Sequence, residues 1–421
     1  MTCIALILIG FLTATPFADL DSKPHTDPLL AKIDEGRESL KAESVKMLMG
    51  TVGTRRIRVS RRKFQDVPVT GIIGREMALA VMEPGGKIRI VRAIKRDPGF
   101  EVLTPGLTLS MRRENGFNSD IQCIEPPGGK ILAVKYPVSN EGQRFGPGPA
   151  VIEAVYTPYS AEIKNEAVIK RGIEVADRFI ELAYSRLSSR GILSRALPGR
   201  KITEAIPRDV LRVLLVNEHI DPGDFKSAGL ARGLVERVLT IISTNREKAY
   251  SYSISPAGAR GLVQMIPSTY SLLLGRYPSA GLPSNFFACM GDPVNAVMAQ
   301  VLLCDADWEA INARSFISRD RIGPYLAAAY NGGVGRVLSV LAHDQTEWME
   351  SPDPNSKPTM TVTRRVPVKV RKRGRIRTVY VVKRYTQPIF RNETSKYVSQ
   401  YHWINNFFND RKAQPEKVLA R

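Results

Sequence analysis

Residues 255–270 read SPAGARGLVQMIPSTY, and residues 329–333 read AYNGG. Either segment alone carries little. The two together, in this order and about sixty residues apart, decide the reading of the chain. Outward from them, apolar residues recur with a helical period. Ile173, Ala176, Phe179, Ile180 and Ala183 fall at three- and four-residue spacing, the pattern of an amphipathic helix. Further helical stretches are expected at Pro207–His219, Leu230–Lys248, Asp292–Asp305 and Arg321–Ala342. Residues 160–408 therefore read as one mainly helical domain, with 409–421 as a tail.

The preceding part of the chain has a different texture. Residues 51–156 hold short runs rich in branched residues, such as Lys87–Val91, Val102–Leu109 and Lys130–Val134. Glycine and proline clusters at 84–86, 98–99, 126–129 and 146–149 separate them, so a small β-rich accessory domain is expected. Residues 19–50 read as a polar linker with a helical patch at Leu29–Met49. Before it, the short apolar run Cys3–Leu12 is followed by small residues up to Ala18, which fits an export signal over residues 1–18. No Lys or Arg precedes that run, so an uncleaved anchor is the alternative. The chain is expected to be exported and periplasmic or cell-wall associated. Cys123, Cys289 and Cys304 remain after the leader. A Cys289–Cys304 bridge is conceivable in an oxidising compartment, and buried free thiols are the preferred reading.

The chain has 421 residues, 43% hydrophobic and 24% charged, the proportions of a globular protein with room for two or three domains. A net charge of +20 favours polyanions as partners: nucleic acid, anionic lipid or an acidic wall polymer. A strongly basic segment spans 360–385, where Val, Ile, Thr and Tyr alternate with Arg and Lys around Gly374. It reads as an inserted β-hairpin with one very basic face, and Pro367 would confine its strand to an edge. Docking to anionic wall polymer or to the outer leaflet is one expectation for it; a solvated edge guarded by charge is the other. The four histidines show no metal-ligand spacing. The Gly332–Gly335 segment follows an Ala-rich helical run rather than a strand, so a phosphate loop is excluded by context.

The segments quoted at the outset resemble the core of the family-1 lytic transglycosylases, whose soluble lytic transglycosylase (SLT) domain is related to goose-type lysozyme. That family carries Ser-x-x-Gly-Ala-x-Gly-Leu-Met-Gln, then Pro-x-Thr, then Ala-Tyr-Asn with glycines. Here Val263 stands where Met is usual. Glu393-Thr394-Ser395-Lys396-Tyr397-Val398 is similar to the family's closing Glu-Thr-x-x-Tyr-Val helix. The resemblance covers roughly Pro207 to Phe408, with the hairpin as a departure. It implies a mainly α-helical lysozyme-like catalytic domain; with the inserted basic hairpin and the preceding β-rich domain read from the residue patterns, the chain is expected to be α+β. It also implies a peptidoglycan lyase that cleaves the bond between N-acetylmuramic acid and N-acetylglucosamine. The product has a 1,6-anhydromuramoyl end, and no metal or cofactor is needed. Glycan strands are the expected partner, and nucleic acid is not. A hydrolytic muramidase and a non-catalytic wall-binding protein are the alternatives.

Such chemistry needs one Glu that is protonated near neutral pH, hence a dry setting or an adverse field. The resemblance implies a Glu at the end of an apolar helix that begins near a proline. Pro207–Glu218 matches that helix, although His219 stands in place of Ser and an extra helix length follows. Glu247 has nearly the usual spacing, but Ser243, Thr244 and Asn245 are polar where a buried helix is wanted. Desolvation outweighs spacing, so Glu218 is the expected acid, Glu247 is the alternative, and the helix after Glu218 is expected to pack outside. The resemblance implies substrate-binding roles for Gln264, Tyr330, Asn331 and Tyr397. Ser255 would stabilise a turn or contact an N-acetyl group. Each has a plainer alternative: a loop glutamine, a helix cap, a core tyrosine. Asp221 beside Glu218 is a candidate second carboxylate for hydrolysis, and its simpler role is helix termination.

Overall fold

This computed structural model describes residues 27–60, 63–96, 99–113, 116–139, 151–221, 223–225, 228–343, 346–350, 359–372 and 375–413. The leader at 1–18, Gly374 and most of the tail lie outside them. The architecture is mixed α+β.

Helix α1 (Pro28–Ser39) comes first. Asp27 caps it, its Oδ1 accepting from the N–H of Leu29 at 2.7 Å and of Leu30 at 3.3 Å. Pro28 takes the first helical position, where a missing N–H is harmless. The helical patch expected to reach Met49 stops at Ser39. Met47 and Leu48 instead pair with Arg75 and Gly74, a long-range recruitment into a sheet that local periodicity cannot anticipate.

The strands that follow are β1 (Met47–Arg58), β2 (Phe64–Met82), β3 (Ile88–Lys95), β4 (Phe100–Val102), β5 (Thr108–Arg113), β6 (Asp120–Glu125), β7 (Lys130–Ser139) and β8 (Val151–Tyr156). Six form one antiparallel sheet in the order β4-β3-β2-β7-β8, with β1 paired to the outer half of β2; β5 and β6 form a separate hairpin. The single strand expected over 102–109 is split by a turn at Pro105-Gly106. Alternation along β2 sends Ala78 and Ala80 to one face, against Leu29, Leu30 and Ile33 of α1. Met77, Leu79 and Val81 go to the other face, beneath Leu107, Ile121 and Cys123. The outer half of the β1–β2 ribbon projects with both faces exposed.

The helical part comprises α2 (Glu166–Ser189), α3 (Ile202–Ala205), α4 (Arg208–Asn217), α5 (Ala228–Asn245), α6 (Pro267–Arg276), α7 (Phe286–Met290), α8 (Pro293–Asn312), α9 (Ile322–Gly332), α10 (Val334–Leu341), α11 (Glu347–Glu350) and α12 (Asn392–Ala413). Helix α8 is buried around most of its circumference, which makes it the axis of the core. The helix after Glu218, expected to pack outside, does the reverse. Val235, Val238, Leu239, Ile241 and Ile242 of α5 are buried, and α5 lies against α2. A Cβ on Gly172 of α2 would fall 2.2 Å from the Leu239 carbonyl oxygen, so the two backbones meet only because that side chain is absent. Thr244 and Asn245, polar in sequence, are buried with their bonds made. Asn245 accepts from the N–H of Thr157 at 2.8 Å and donates to its carbonyl at 2.9 Å.

That contact joins the strand-rich and helical parts. Phe117, Ala154 and Tyr156 belong to the same apolar cluster as the helices. Arg246 reaches Asp34 at 2.6 Å, and Arg37 donates to the Thr244 carbonyl at 2.7 Å. Helix α12 passes the expected domain end at Phe408 and runs to Ala413. Cys123, Cys289 and Cys304 are free and buried. No helix among the described residues is long and apolar enough to cross a membrane.

The inserted hairpin is β9 (Thr359–Lys372) with β10 (Arg375–Pro388). The expectation of one very basic face is corrected by its register. Val382 pairs with Arg365, Thr378 with Lys369 and Ile376 with Arg371, whereas Arg377 pairs with Val370 and Lys383 with Arg364. The basic face of β9 thus joins the largely uncharged face of β10, the opposite side holds Arg377 and the Lys383–Arg364 pair, and both faces carry charge. Ile376 and Tyr380 stand 69% and 67% exposed among the arginines.

Candidate active site

Helix α4 starts after Pro207, and Val210, Leu211, Val213, Leu214, Leu215 and Val216 are all buried. Its last helical residue is Asn217. Glu218 is the C-cap, with its N–H donating to the Leu214 carbonyl at 3.0 Å. The carboxyl group therefore sits at the negative end of the helix dipole, which disfavours its ionised form. Loss of water pushes the Glu218 pKa up to about 8; the Tyr397 hydrogen bond pulls it back, and Glu393 pushes it up again. The Tyr397 hydroxyl donates to Glu218 Oε1 at 2.5 Å. Asn217 Nδ2 in turn holds the Tyr397 carbonyl at 3.0 Å, which fixes α12 against the end of α4.

Glu218 opens into a cleft of about 430 Å³ that is also lined by Ser255, Gln264, Tyr330, Asn331 and Tyr397. All five residues expected to accompany the acid are thus gathered around it. Glu247 is elsewhere. It lies on a 3₁₀ turn, Arg246–Lys248, none of whose residues is buried, and it does not line this cleft.

The loop before α6 shapes one wall. Ser255 Oγ accepts from the N–H of Ala259 at 3.0 Å, so its hydroxyl closes the turn. Gly261 adopts φ +72°, and a Cβ there would meet the Met290 carbonyl oxygen at 2.6 Å. Gln264 also has positive φ, +45°, a conformation of order 1–3 kcal/mol above the ordinary one for a residue with a side chain. Its Nε2 donates to the Gly261 carbonyl at 2.8 Å, which fixes the amide at the cleft wall. Tyr330 donates to the Val263 carbonyl at 2.6 Å, pinning the same loop to the end of α9. Asn331 Oδ1 accepts from Thr394 Oγ1 at 2.6 Å. Of the expected tyrosines, then, Tyr397 bonds the carboxyl and Tyr330 braces the loop.

A second cavity of about 730 Å³ shares Glu218, Ile220, Ser255 and Gln264 with the first. Its far wall is Arg237, Tyr250, Tyr252 and the turn Gly116–Asn118 from the strand-rich part. His219 stacks on Tyr250 with ring centroids 3.4 Å apart, and its Nε2 lies 2.8 Å from the Leu262 carbonyl. Burial depresses its pKa to about 3, so it is neutral at any ordinary pH and serves as packing. Asp221 is exposed on the rim of this cavity, its Oδ1 accepting from the N–H of Gly223 at 2.7 Å.

Three contributions escape the motif reading. Asn217 shows in sequence only as a polar residue closing an apolar helix. Glu393, in the Glu-Thr-x-x-Tyr-Val segment, lines the acid's cleft. Phe117 and Asn118 have no signal at all, because they come from a different part of the chain. No protein-family model, no curated protein and no solved structure matches this chain.

Proposed function

We propose that the chain is an exported lytic transglycosylase with a lysozyme-like helical domain, acting on the glycan strands of peptidoglycan. The observation that carries the reading is Glu218: a carboxyl at a helix C-terminus, held protonated to about pH 8, bonded to Tyr397 and opening into a cleft with Gln264 and Asn331. In this mechanism the neutral Glu218 donates its proton to the glycosidic oxygen as the bond to the muramoyl C1 breaks. The resulting carboxylate accepts the proton of the muramoyl 6-hydroxyl as that oxygen bonds to C1. The proton count closes on one side chain, and no water is consumed. Tyr397 supports the carboxylate between the two steps.

Glu393 favours a second reading. It places another carboxylate in the same cleft, as hydrolysis through an activated water would use. Mass spectrometry of the products released from purified sacculi separates the cases. Anhydro ends support transglycosylation, reducing ends support hydrolysis, and binding without release leaves a wall-binding protein. The basic hairpin is proposed to hold the enzyme on an anionic wall polymer.

A further inference from the structure

The outer half of the β1–β2 ribbon takes no part in the cleft. Strand β3 pairs with β2 only over residues 75–82, and β7 only over 78–82, so residues 64–74 of β2 are laddered to β1. Residues 51–60 are exposed without a break, and between Lys63 and Thr70 only Val67 is half-buried. The projection is on the order of 30 Å long. A two-stranded ribbon of this kind is marginal in water unless an apolar face is covered.

Residues directly opposite each other in an antiparallel pair share a face. Ile57 opposes Gln65, Arg55 opposes Val67 and Gly53 opposes Val69, which gathers three aliphatic side chains and one arginine on one side. Arg58 opposes Phe64, Arg56 opposes Asp66 and Thr54 opposes Pro68 on the other. Ile57, Val59, Phe64 and Val69 are 41%, 53%, 52% and 39% exposed. Val59 and Phe64 flank the tip, where the Val59 N–H donates to the Lys63 carbonyl at 2.9 Å. The Arg56 guanidinium lies 5.4 Å from the centre of the Phe64 ring, so a cation and an aromatic side chain are presented together. Among the described residues of this outer half, Arg55, Arg56, Arg58 and Lys63 stand against one carboxylate, Asp66.

We propose that this ribbon docks the chain on an anionic lipid bilayer, entering the headgroup layer tip first without crossing the membrane. Its cations favour any polyanion, and each gains near a negatively charged leaflet. Its exposed Ile57, Val59 and Phe64 gain only from a partner that offers hydrocarbon, which a nucleic acid or an anionic wall polymer does not. A bilayer interface takes both kinds of residue, apolar side chains at the acyl boundary and cations at the phosphates. Nothing in this docking depends on the chemistry at Glu218.

Co-sedimentation of the full chain with vesicles is the test. Vesicles of phosphatidylglycerol and phosphatidylcholine in equal parts should carry the protein down at low salt far better than pure phosphatidylcholine. An Arg55→Gln/Arg56→Gln/Lys63→Gln variant should bind the anionic vesicles about a hundredfold more weakly, the combined effect of three cations near such a surface. An Ile57→Ser/Val59→Ser/Phe64→Ser variant should also lose vesicle binding yet keep its retention on heparin, a polyanion without hydrocarbon. Insertion is read from Phe64→Trp, whose emission, beyond that of the unmutated chain, should be quenched by brominated acyl chains. Residues 1–18 and the β9–β10 hairpin are the same in every protein compared, so any adsorption through them is common to all. No preference for the anionic vesicles, or no quenching, overturns the proposal. So does vesicle binding that the serine variant leaves unchanged, which would assign the ribbon to a soluble polyanion. If a triple variant does not keep the thermal melt of the unmutated chain, the lipid preference of that chain and the quenching of Phe64→Trp decide.

Discussion

Glu218 keeps its proton mainly because loss of water disfavours its charged form, and the place where its helix stops adds to that. One residue earlier it would be inside α4; one later it would follow His219 into the turn. At the C-cap its carboxyl meets the helix dipole, a dry cleft and the Tyr397 hydroxyl together. Glu218→Gln should lower glycan cleavage by roughly 10²- to 10⁴-fold, the usual contribution of a general acid. Glu247→Gln should keep most of the activity in a zymogram with embedded sacculi, and the opposite ranking would refute the assignment. Tyr397→Phe has a defined sign. The phenol stabilises the carboxylate, so its loss should move the alkaline limb of the pH–rate profile upward by about one unit, the equivalent of one hydrogen bond. A limb that stays in place or moves down would mean the contact does not govern the acid. Both acidic candidates were visible in the sequence. What separated them was burial, for which the run Val210–Val216 was a sound guide and the polarity of Thr244 and Asn245 was not. Those two are buried because Thr157 and the α5 carbonyls satisfy them.

At the level of elements, the loop 255–266 is held from three sides. The Ser255 turn, the contact of Gly261 with Met290 and the bond from Tyr330 to Val263 together present the Gln264 side chain. The hairpin β9–β10 is held at its base and exposed along its length. With charge on both faces, it can meet a polyanion from either side. Replacing Met360–Tyr385 by a short turn should weaken binding to sacculi at low salt. The difference should vanish near 1 M salt, where screening acts within about 3 Å. Sacculus binding that is unchanged at low salt would assign the hairpin to another task. The existence of both strands was legible from alternation around Gly374. The distribution of charge was not, because it depends on which residue of one strand faces which residue of the other.

For the molecule as a whole, two carboxyls among the described residues stay protonated well above their ordinary range. Glu218 reaches about 8 and Asp307 about 7, both through burial. Between the unfolded values near 4 and these raised values, the folded chain binds more protons than the unfolded one. Stability conferred by these groups is therefore complete at low pH and is lost as pH rises towards 8. Glu153, Asp209, Glu236 and Glu309 have lowered values and act the other way, losing their contribution only as pH falls through the acid range. The melting temperature should therefore peak in mildly acidic buffer and decline from about pH 5 to pH 8. A Glu218→Gln/Asp307→Asn variant should flatten that decline; a melting temperature that climbs steadily to pH 8 would contradict the burial of both groups. By itself, the sequence determined the α+β composition, the helical period from Ser160 onward and the residues that meet at the cleft, because local periodicity and short motifs encode them. Only tertiary structure decided that α5 enters the core, that the hairpin is basic on both faces and that Phe117 and Asn118 wall the cavity beside Glu218. Each of these depends on contacts between segments far apart in the chain, and no local pattern records such contacts.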